Sequence, residues 1–484
     1  MSHYSEVFST YVNEKGVSVS ALAKRSGVER TSIYKMMNGE RHPADVSVAE
    51  KLGRALLLSP TEMSRLLGAC RIDEMGEAVY RSRQSVLDFF SNFSPAHVEA
   101  TSILTPDTPL PLNGNGAAYG SLAVNNLVRA VLSVEGLRPD GRIRVLAQPD
   151  YRFLIAALEL LGVNNPALTI EHVVCLENGQ KEENGLYNFD CVTKLISLLA
   201  SGCNYQPRYF YDHVDSHFSE TSVLPFFVLT RTHVVALSYD QTMAVVSDDA
   251  GTLELYARVF DELRGKSEPL AYSFPDQLSF VGYWNDAKQR LVHLDYSFSY
   301  QPCLLPLSSG ELVRKYVNRD VVQTDAEVEM IEEYMCGRRE SNWHGKIKRF
   351  FFSEASIDDF LRDGRILEIP NEFYHPLDVP DRYKILRRLC EELEADRYHA
   401  AIIKPEVLTL SPSLSCGVYG NCAFMDIVGL AQSFETFVIK EQSVVSTLKD
   451  FFEYLEPGRM VLSREQTLAL LKQKLANAPP IAEA

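Results

Sequence analysis

The chain has 484 residues, 46% of them hydrophobic and 23% charged, with a formal net charge of −16. These proportions suit a soluble globular protein with a sizeable core, and no apolar run approaches the length that spans a bilayer. Nine cysteines occur without a C-x-x-C pair, which argues for a reducing cytosol and against a disulfide framework or a thiolate zinc site.

The charge is unevenly spread. Residues 1–90 hold 12 Lys and Arg against 11 Asp and Glu, while the remainder holds 36 against 53. The first segment is therefore near neutral and the rest strongly acidic. Contact with a polyanion is expected from the first segment, with the acidic bulk repelling it. An acidic surface also serves solubility alone. The opening "MSHYSEVFSTYV" lacks a basic flank, an apolar stretch and a cleavage site, so a secretory signal is not expected and a cytoplasmic location is.

In chain order, residues 1–90 read as helices only. "YSEVFSTYVNEKG" stops at a glycine. "SVSALAKRSG" starts at Ser18, a good N-cap, and ends at Gly27. "ERTSIYKMMNG" stops at Gly39, and Asp45 caps "DVSVAEKLGRALLL". In "SPTEMSRLLGA", Ser59, Pro60 and Glu62 form a capping-box signature. "EAVYRSRQSVLDFF" is expected to close this domain. Residues 91–120, rich in Pro, Gly and Asn, read as a linker.

From residue 121 strands and helices alternate, which favours a sheet covered by helices. "RIRVLAQP", "LTIEHVVCLE", "PRYFYDH", "LPFFVLTRTHVVALS" and "TMAVVSDD" read as strands. "DYRFLIAALELLG", with Asp150 as its cap, "NFDCVTKLISLLASG" and "GTLELYARVFDELRG" read as helices. Residues 265–305 look aromatic and irregular. Helices near 310–336, strands through 400–440 and a final helical pair follow. The expected fold is multidomain: an all-α domain over 1–90, the linker 91–120, two α/β halves at 121–300 and 301–475, and a disordered tail at 476–484. A weak internal repeat lays "RTHVVALSYDQTMAVV" (231–246) over "KPEVLTLSPSLSCGVY" (404–419) without a gap.

The stretch "SVSALAKRSGVERTSIYKMMNGERHP" contains the parts of a helix-turn-helix. Ala21, Leu22, Ala23 and Ile33 let two short helices pack, and Gly27 permits the positive φ of the turn. Arg30, Thr31, Ser32 and Lys35 then fall on the exposed part of the second helix, where Arg suits guanine and the hydroxyls suit bases or phosphates. Ser18, Asn38 and Arg41 complete the expected DNA-facing set, with Arg41 placed for a backbone phosphate. Together with "VAEKLGRALLLSPTEMSRLL", this stretch resembles the phage Cro and repressor family, also called the XRE family. The resemblance covers Val7 to Leu67 and implies a five-helix domain whose Arg30, Thr31, Ser32 and Lys35 face the major groove. One departure is Glu29, at a cap position where that family often has Ser or Thr. A helical domain used only for protein contacts is the alternative.

Catalytic signals are weaker. "YDHVDSHF" groups Asp212, His213, Asp215 and His217, which on a helix could offer a metal two histidines. It reads instead as a strand entering a loop. In "HVVALSYD", His233 and Asp240 fit an H-x-K-x4-D spacing with Val235 at the Lys position. This resembles the phospholipase D-like fold, whose duplicated halves each bring one such motif to a shared site. The second block has Glu406, Leu408 and Ser413 at the three positions, so the resemblance implies a duplicated sandwich with a degenerate, inactive site. "CGRRESNWHGKIKR" clusters Arg338, Arg339, Lys346, Lys348 and Arg349, as a phosphate grip or a solvated face. Cys416 and Cys422 read as strand and turn rather than a redox pair. No cofactor or metal is expected.

The leading expectation is a sequence-specific transcriptional regulator that binds double-stranded DNA as a homodimer. Its C-terminal region would sense an unidentified small-molecule effector or oligomerise, with no membrane contact and no enzymatic activity. A phosphodiesterase-like enzyme with a DNA-binding appendage and a helical protein-interaction module are the alternatives.

Overall fold

The computed structural model describes residues 2–93, 115–178, 182–214, 223–274, 277–287, 295–343, 349–428, 434–455 and 459–477. Two compact units divide the chain, residues 1–85 and 86–484.

The first unit is helical. It contains α1 (His3–Glu14), α2 (Val19–Ser26), α3 (Arg30–Met37), α4 (Val46–Ala55), α5 (Pro60–Met75) and the start of α6 (Glu77–Asn92). The caps expected from sequence are present: Ser18 accepts from the Ala21 amide, Asp45 from that of Val48, and Ser59 with Glu62 closes a capping box. Tyr4, Phe8, Leu22, Ile33, Leu52 and Leu66 form the core.

The helix α6 does not simply close this domain. Val86 and Phe90, on its second half, are buried in the core of the second unit. Apolar periodicity marks the inward face of a helix but not which core receives it.

The second unit holds two sheets. The first contains β1 (Gly116–Tyr119), β2 (Arg142–Leu146), β3 (Thr169–Glu177), β4 (Asn204–Asp212), β5 (Phe226–Leu229), β6 (Val234–Leu237), β7 (Met243–Ser247) and β8 (Glu268–Pro269). Between its strands run α7 (Ser121–Gly136), α8 (Arg152–Asn164) and α9 (Glu182–Leu199), and α10 (Ala250–Lys266) follows β7. The second sheet contains β9 (Ala271–Ser273), β10 (Tyr296–Ser299), β11 (Arg349–Ser353), β12 (Ala400–Ile403), β13 (Leu414–Tyr419), β14 (Cys422–Val428) and β15 (Phe434–Ile439). Its helices are α11 (Gln277–Ala287), α12 (Gly310–Tyr316), α13 (Asp325–Trp343), α14 (Ala355–Asp363) and α15 (Val379–Glu394), with α16 (Gln442–Tyr454) and α17 (Arg464–Ala476) at the end.

Both sheets have one topology. From one edge, leaving out β8, the first runs β4-β3-β2-β5-β6-β7-β1 and the second β12-β11-β10-β13-β14-β15-β9. In each, the first three strands are parallel and the next four antiparallel. Strand order is preserved in sequence, so β1 corresponds to β9, β2 to β10, and onward to β7 and β15.

Several expectations are corrected. The sheets change at Leu270, between β8 and β9, and not near 300. Strands of two or three residues are too short to show a period of two, so 265–305 looked irregular. The end of the expected linker is strand β1, while residues 94–114 and 478–484 lie outside the described residues. The long strand expected over 224–238 is the hairpin β5–β6. Asp150 caps no helix and instead accepts from Lys194 at 2.5 Å. The gapless repeat also fails, because it lays β6 over residues 407–410, which form no strand, whereas sheet order makes β14 the counterpart of β6. Alternating hairpins match at many offsets, so an ungapped overlay does not report sheet position.

The facing sides of the two sheets share one core, in which Val145 and Val174 join Phe298, Phe351, Met425 and Phe452. A polar seam crosses the halves: Asn188 of α9 donates to Ser443 Oγ of α16 at 3.0 Å, and the Tyr211 hydroxyl of β4 donates to Glu441, the cap of α16, at 2.5 Å.

Within this core His172 is fully buried, its ring nitrogens 2.9 Å from the Tyr205 hydroxyl and 2.9 Å from the Ala147 carbonyl. Burial lowers its pKa to about 4, so the folded state holds it neutral while the unfolded chain protonates near 6.5. The folded value being the lower one, this contribution is complete above about pH 6.5 and is lost as pH falls toward 4. Urea unfolding should show a loss of about 3 kcal/mol over that window, and His172→Gln should flatten that part of the profile.

Candidate nucleic-acid interface

The α2–α3 pair is set by local rules. Gly27, at φ +73°, ends α2 in the left-handed region that a side chain would disfavour. Val28 and Glu29 then turn the chain into α3. Ile33 and Met36 are buried and fix the inner face of α3, while Ser9 Oγ donates to the Met37 carbonyl at 2.9 Å and anchors its end to α1.

The opposite face is open. Arg30, Thr31 and Lys35 are exposed and Ser32 is half-buried. The Arg30 guanidinium lies 5.6 Å from the Tyr34 ring centroid, and Tyr34 is itself 44% exposed. Arg41 reaches back to donate to Ser32 Oγ at 3.3 Å, so the turn after α3 and its first turn form one polar surface. Asn38 is the C-cap residue of α3, and its amide donates to Glu40 at 3.3 Å. Ser18 is exposed but used as the α2 cap. The seven expected residues therefore sit at the start of α2, on the outward side of α3 and just after it.

Glu29 occupies the N-cap of α3 but makes no side-chain capping bond. Its carboxylate lies at the end of the helix where backbone amides attract anions, and would compete there with a phosphate.

Sequence reading missed a second cationic group. Arg25 on α2 and Lys51 and Arg54 on α4 line an open cleft with Ser26, Ala55 and Leu57. Arg54 is paired only loosely along its helix with Glu50, at 3.6 Å. The signal was present, since Lys51 and Arg54 are three apart and share a helix face, but the approach of Arg25 across helices required the fold. Leu57 adopts φ +58° and is 79% exposed.

The other sequence candidates do not assemble. His233 starts the β6 hairpin, with Nδ1 2.9 Å from Thr232 Oγ1. Asp240 caps the β6–β7 turn, accepting from Ser238 and Thr242, beyond the far end of β6. By sheet order the counterpart of β6, which His233 precedes, is β14, which Asn421 precedes, and not the turn that holds Glu406. His213 is exposed, 3.6 Å from Glu177, while Asp215 and His217 lie outside the described residues. Among the described residues no three His, Cys, Asp or Glu converge as metal ligands. Of the basic cluster, Arg349 opens β11, and the side chains of Arg338, Arg339, Lys346 and Lys348 lie outside the described residues. Cys416 and Cys422 are buried in different cores, on opposite faces of the second sheet.

Comparison with known families places this geometry. Residues 7–66 match the family described as a helix-turn-helix domain. The helix-turn-helix unit is thus α1 to α5, with α2 and α3 as its central pair. Curated protein sequences gave no match. Solved structures similar to the chain include TrmBL2, an archaeal chromatin protein that binds DNA, at 12% identity over 50% of this chain and 84% of that one, with a TM-score of 0.22. A polyphosphate kinase from Porphyromonas gingivalis matches at 12% identity over 75% of this chain and 56% of that one, also at 0.22. A phosphatidylserine synthase from Haemophilus influenzae Rd KW20 matches at 12% over 82% and 97%, again at 0.22. Likenesses this distant carry no argument about this chain.

Replacing Glu29 by Ser supplies the missing cap. Glu29→Ser should stabilise the helix-turn-helix unit by about 1 kcal/mol in thermal or urea unfolding.

Proposed function

We propose that the protein is a sequence-specific, DNA-binding transcriptional regulator, cytoplasmic and homodimeric, in which residues 86–484 sense an effector or hold two reading heads together. One observation carries this reading. The α3 helix presents Arg30, Thr31, Ser32 and Lys35 outward, joined by Arg41, while Ile33 and Met36 lock its other face. That arrangement suits insertion into a major groove, with the guanidinium and hydroxyls at base edges and Arg41 at a phosphate. The cleft of Arg25, Lys51 and Arg54 adds cations that suit backbone phosphates. A single head offers few contacts, and a dimer spans two half-sites about one turn apart. The acidity of the rest of the chain favours confining DNA contact to this unit. Among the described residues no helix is long and apolar enough to cross a membrane.

The repeated sheet order also supports the likeness to the phospholipase D-like fold. We read the region as a non-catalytic descendant of such a scaffold. Val235 stands where that fold has its Lys, and β14, the counterpart of β6 in the second half, holds no His and is preceded by Asn421. Phosphodiesterase activity abolished by His233→Ala would overturn the non-catalytic reading.

Selection of bound sequences from random DNA should return paired half-sites. On the selected site Arg30→Ala should weaken binding about 10- to 100-fold and relax the preference at one position. Lys51→Ala and Arg54→Ala should weaken all sequences alike and lower the salt slope by about one each. Binding without sequence preference, or binding indifferent to Arg30 and Lys35, would sink the proposal.

A further inference from the structure

The outward face of α3 is polar except at one position. Tyr34 is 44% exposed, and it and Leu57 are the exposed large hydrophobic residues among residues 2–85. The helix buries Ile33 and Met36 and half-buries Met37. Tyr34 follows Arg30 by four residues, so the two are neighbours on one helix face. The Arg30 guanidinium carbon lies 5.6 Å from the Tyr34 ring centroid, within the range of a cation–π pair. Among the described residues no carboxylate or carbonyl accepts from the Arg30 guanidinium, and its five N–H donors stay available to a base.

A guanidinium that bonds guanine O6 and N7 lies in the plane of that base pair. The Tyr34 ring comes from a position about 6 Å further along the helix axis, so it sits out of that plane. Successive base pairs are about 3.4 Å apart, which puts the edge of a neighbouring pair within reach of the ring. In the major groove that edge differs between the two pyrimidines in one apolar feature: T carries a C5-methyl group and C does not. Covering a methyl group with an aromatic ring removes apolar surface from water on both sides. The ring contact also restricts the long Arg30 side chain before DNA arrives, which lowers the rotamer entropy lost on binding.

We propose that Arg30 and Tyr34 form one reading unit for guanine beside a 5-methylpyrimidine. Arg30 bonds the guanine, and Tyr34 covers the methyl group of the adjacent pair. The feature recognised is the C5-methyl group, which thymine and 5-methylcytosine share. A site with T at this position is therefore also a site that accepts methylated C and discriminates against unmodified C. This rests on the reading of α3 as a major-groove helix, and it adds the residue and the base feature that set one position of the site.

The test is fluorescence anisotropy of the full chain on the DNA site selected from random sequence. The guanine read by Arg30 is the position whose preference Arg30→Ala relaxes. Each pyrimidine position flanking it is made in turn with T, deoxyuridine, C or 5-methylcytosine. On one flank, deoxyuridine in place of T should weaken binding about three- to tenfold, and 5-methylcytosine in place of C should strengthen it by a similar factor. Tyr34→Ala should bring both ratios to about one, and Tyr34→Phe should keep them. The ring is exposed, so urea unfolding of both variants should match the parent. The deoxyuridine comparison on the unsubstituted protein decides the point whatever the variants do. Binding indifferent to the methyl group, or a methyl effect that survives in folded Tyr34→Ala, would overturn the reading unit. A methyl effect with T but not with C would overturn recognition of the methyl group itself. Selective, Arg30-dependent binding that ignores the methyl group sinks this unit alone, whereas binding without sequence preference sinks the regulator reading as well.

Discussion

Five phenylalanines hold the large unit together. Phe90 packs on Phe298 at 4.4 Å between ring centroids, Phe298 on Phe452 at 5.2 Å and Phe451 on Phe452 at 5.8 Å, with Phe351 6.3 Å from Phe298. They come from α6, β10, β11 and α16, elements spread over more than 350 residues of sequence. Each ring removes a large apolar area from water and meets its neighbours edge-on or offset. The inner faces of the two sheets share a core because these side chains, with Val145, Val174 and Met425, belong to one buried cluster, while each half keeps a further cluster on its outer face. An α16 that follows the second sheet but packs against α9 of the first, sealed by Asn188–Ser443 and Tyr211–Glu441, is a consequence of the same burial.

Against that scaffold the helix-turn-helix unit is small and differently charged. Its near-neutral balance and outward Arg30, Lys35 and Arg41 contrast with the acidic remainder. Long-range repulsion between an acidic surface and phosphates acts over about a Debye length, so the separation of charge along the chain suits the proposed confinement of DNA contact to this unit. Glu29 runs against it, as an acid at a helix start that forms no cap.

The duplicated topology shows how one architecture was used in two ways. Strand for strand the sheets correspond, and their inner faces both feed the common core. Their outer faces differ: the first is covered by α10 over Leu146, Phe227 and Phe260, and the second carries Phe350, Phe352, Phe424 and Val438 beside Ser297, Ser299, Ser415 and Asp426.

The sequence by itself determined the helix-turn-helix unit almost residue by residue, because its signals are local. Ser18, Asp45 and Ser59 cap, Gly27 turns, and Ile33 points inward at helical spacing. It also determined the alternation of strands and helices beyond residue 120 and the absence of a complete H-x-K-x4-D pair. Only the tertiary structure decided what depends on partners distant in the chain. Sheet order showed that β6 answers to β14 and that the turn holding Glu406 is not the counterpart of the one holding His233. Burial assigned the second half of α6 to the large unit. Cross-helix approach gathered Arg25 with Lys51 and Arg54, and cross-strand register aligned Ser299, Ser415, Asp426 and Thr436. A period of two or 3.6 residues tells which side of an element is buried, whereas its neighbours are chosen by long-range packing that no local window contains.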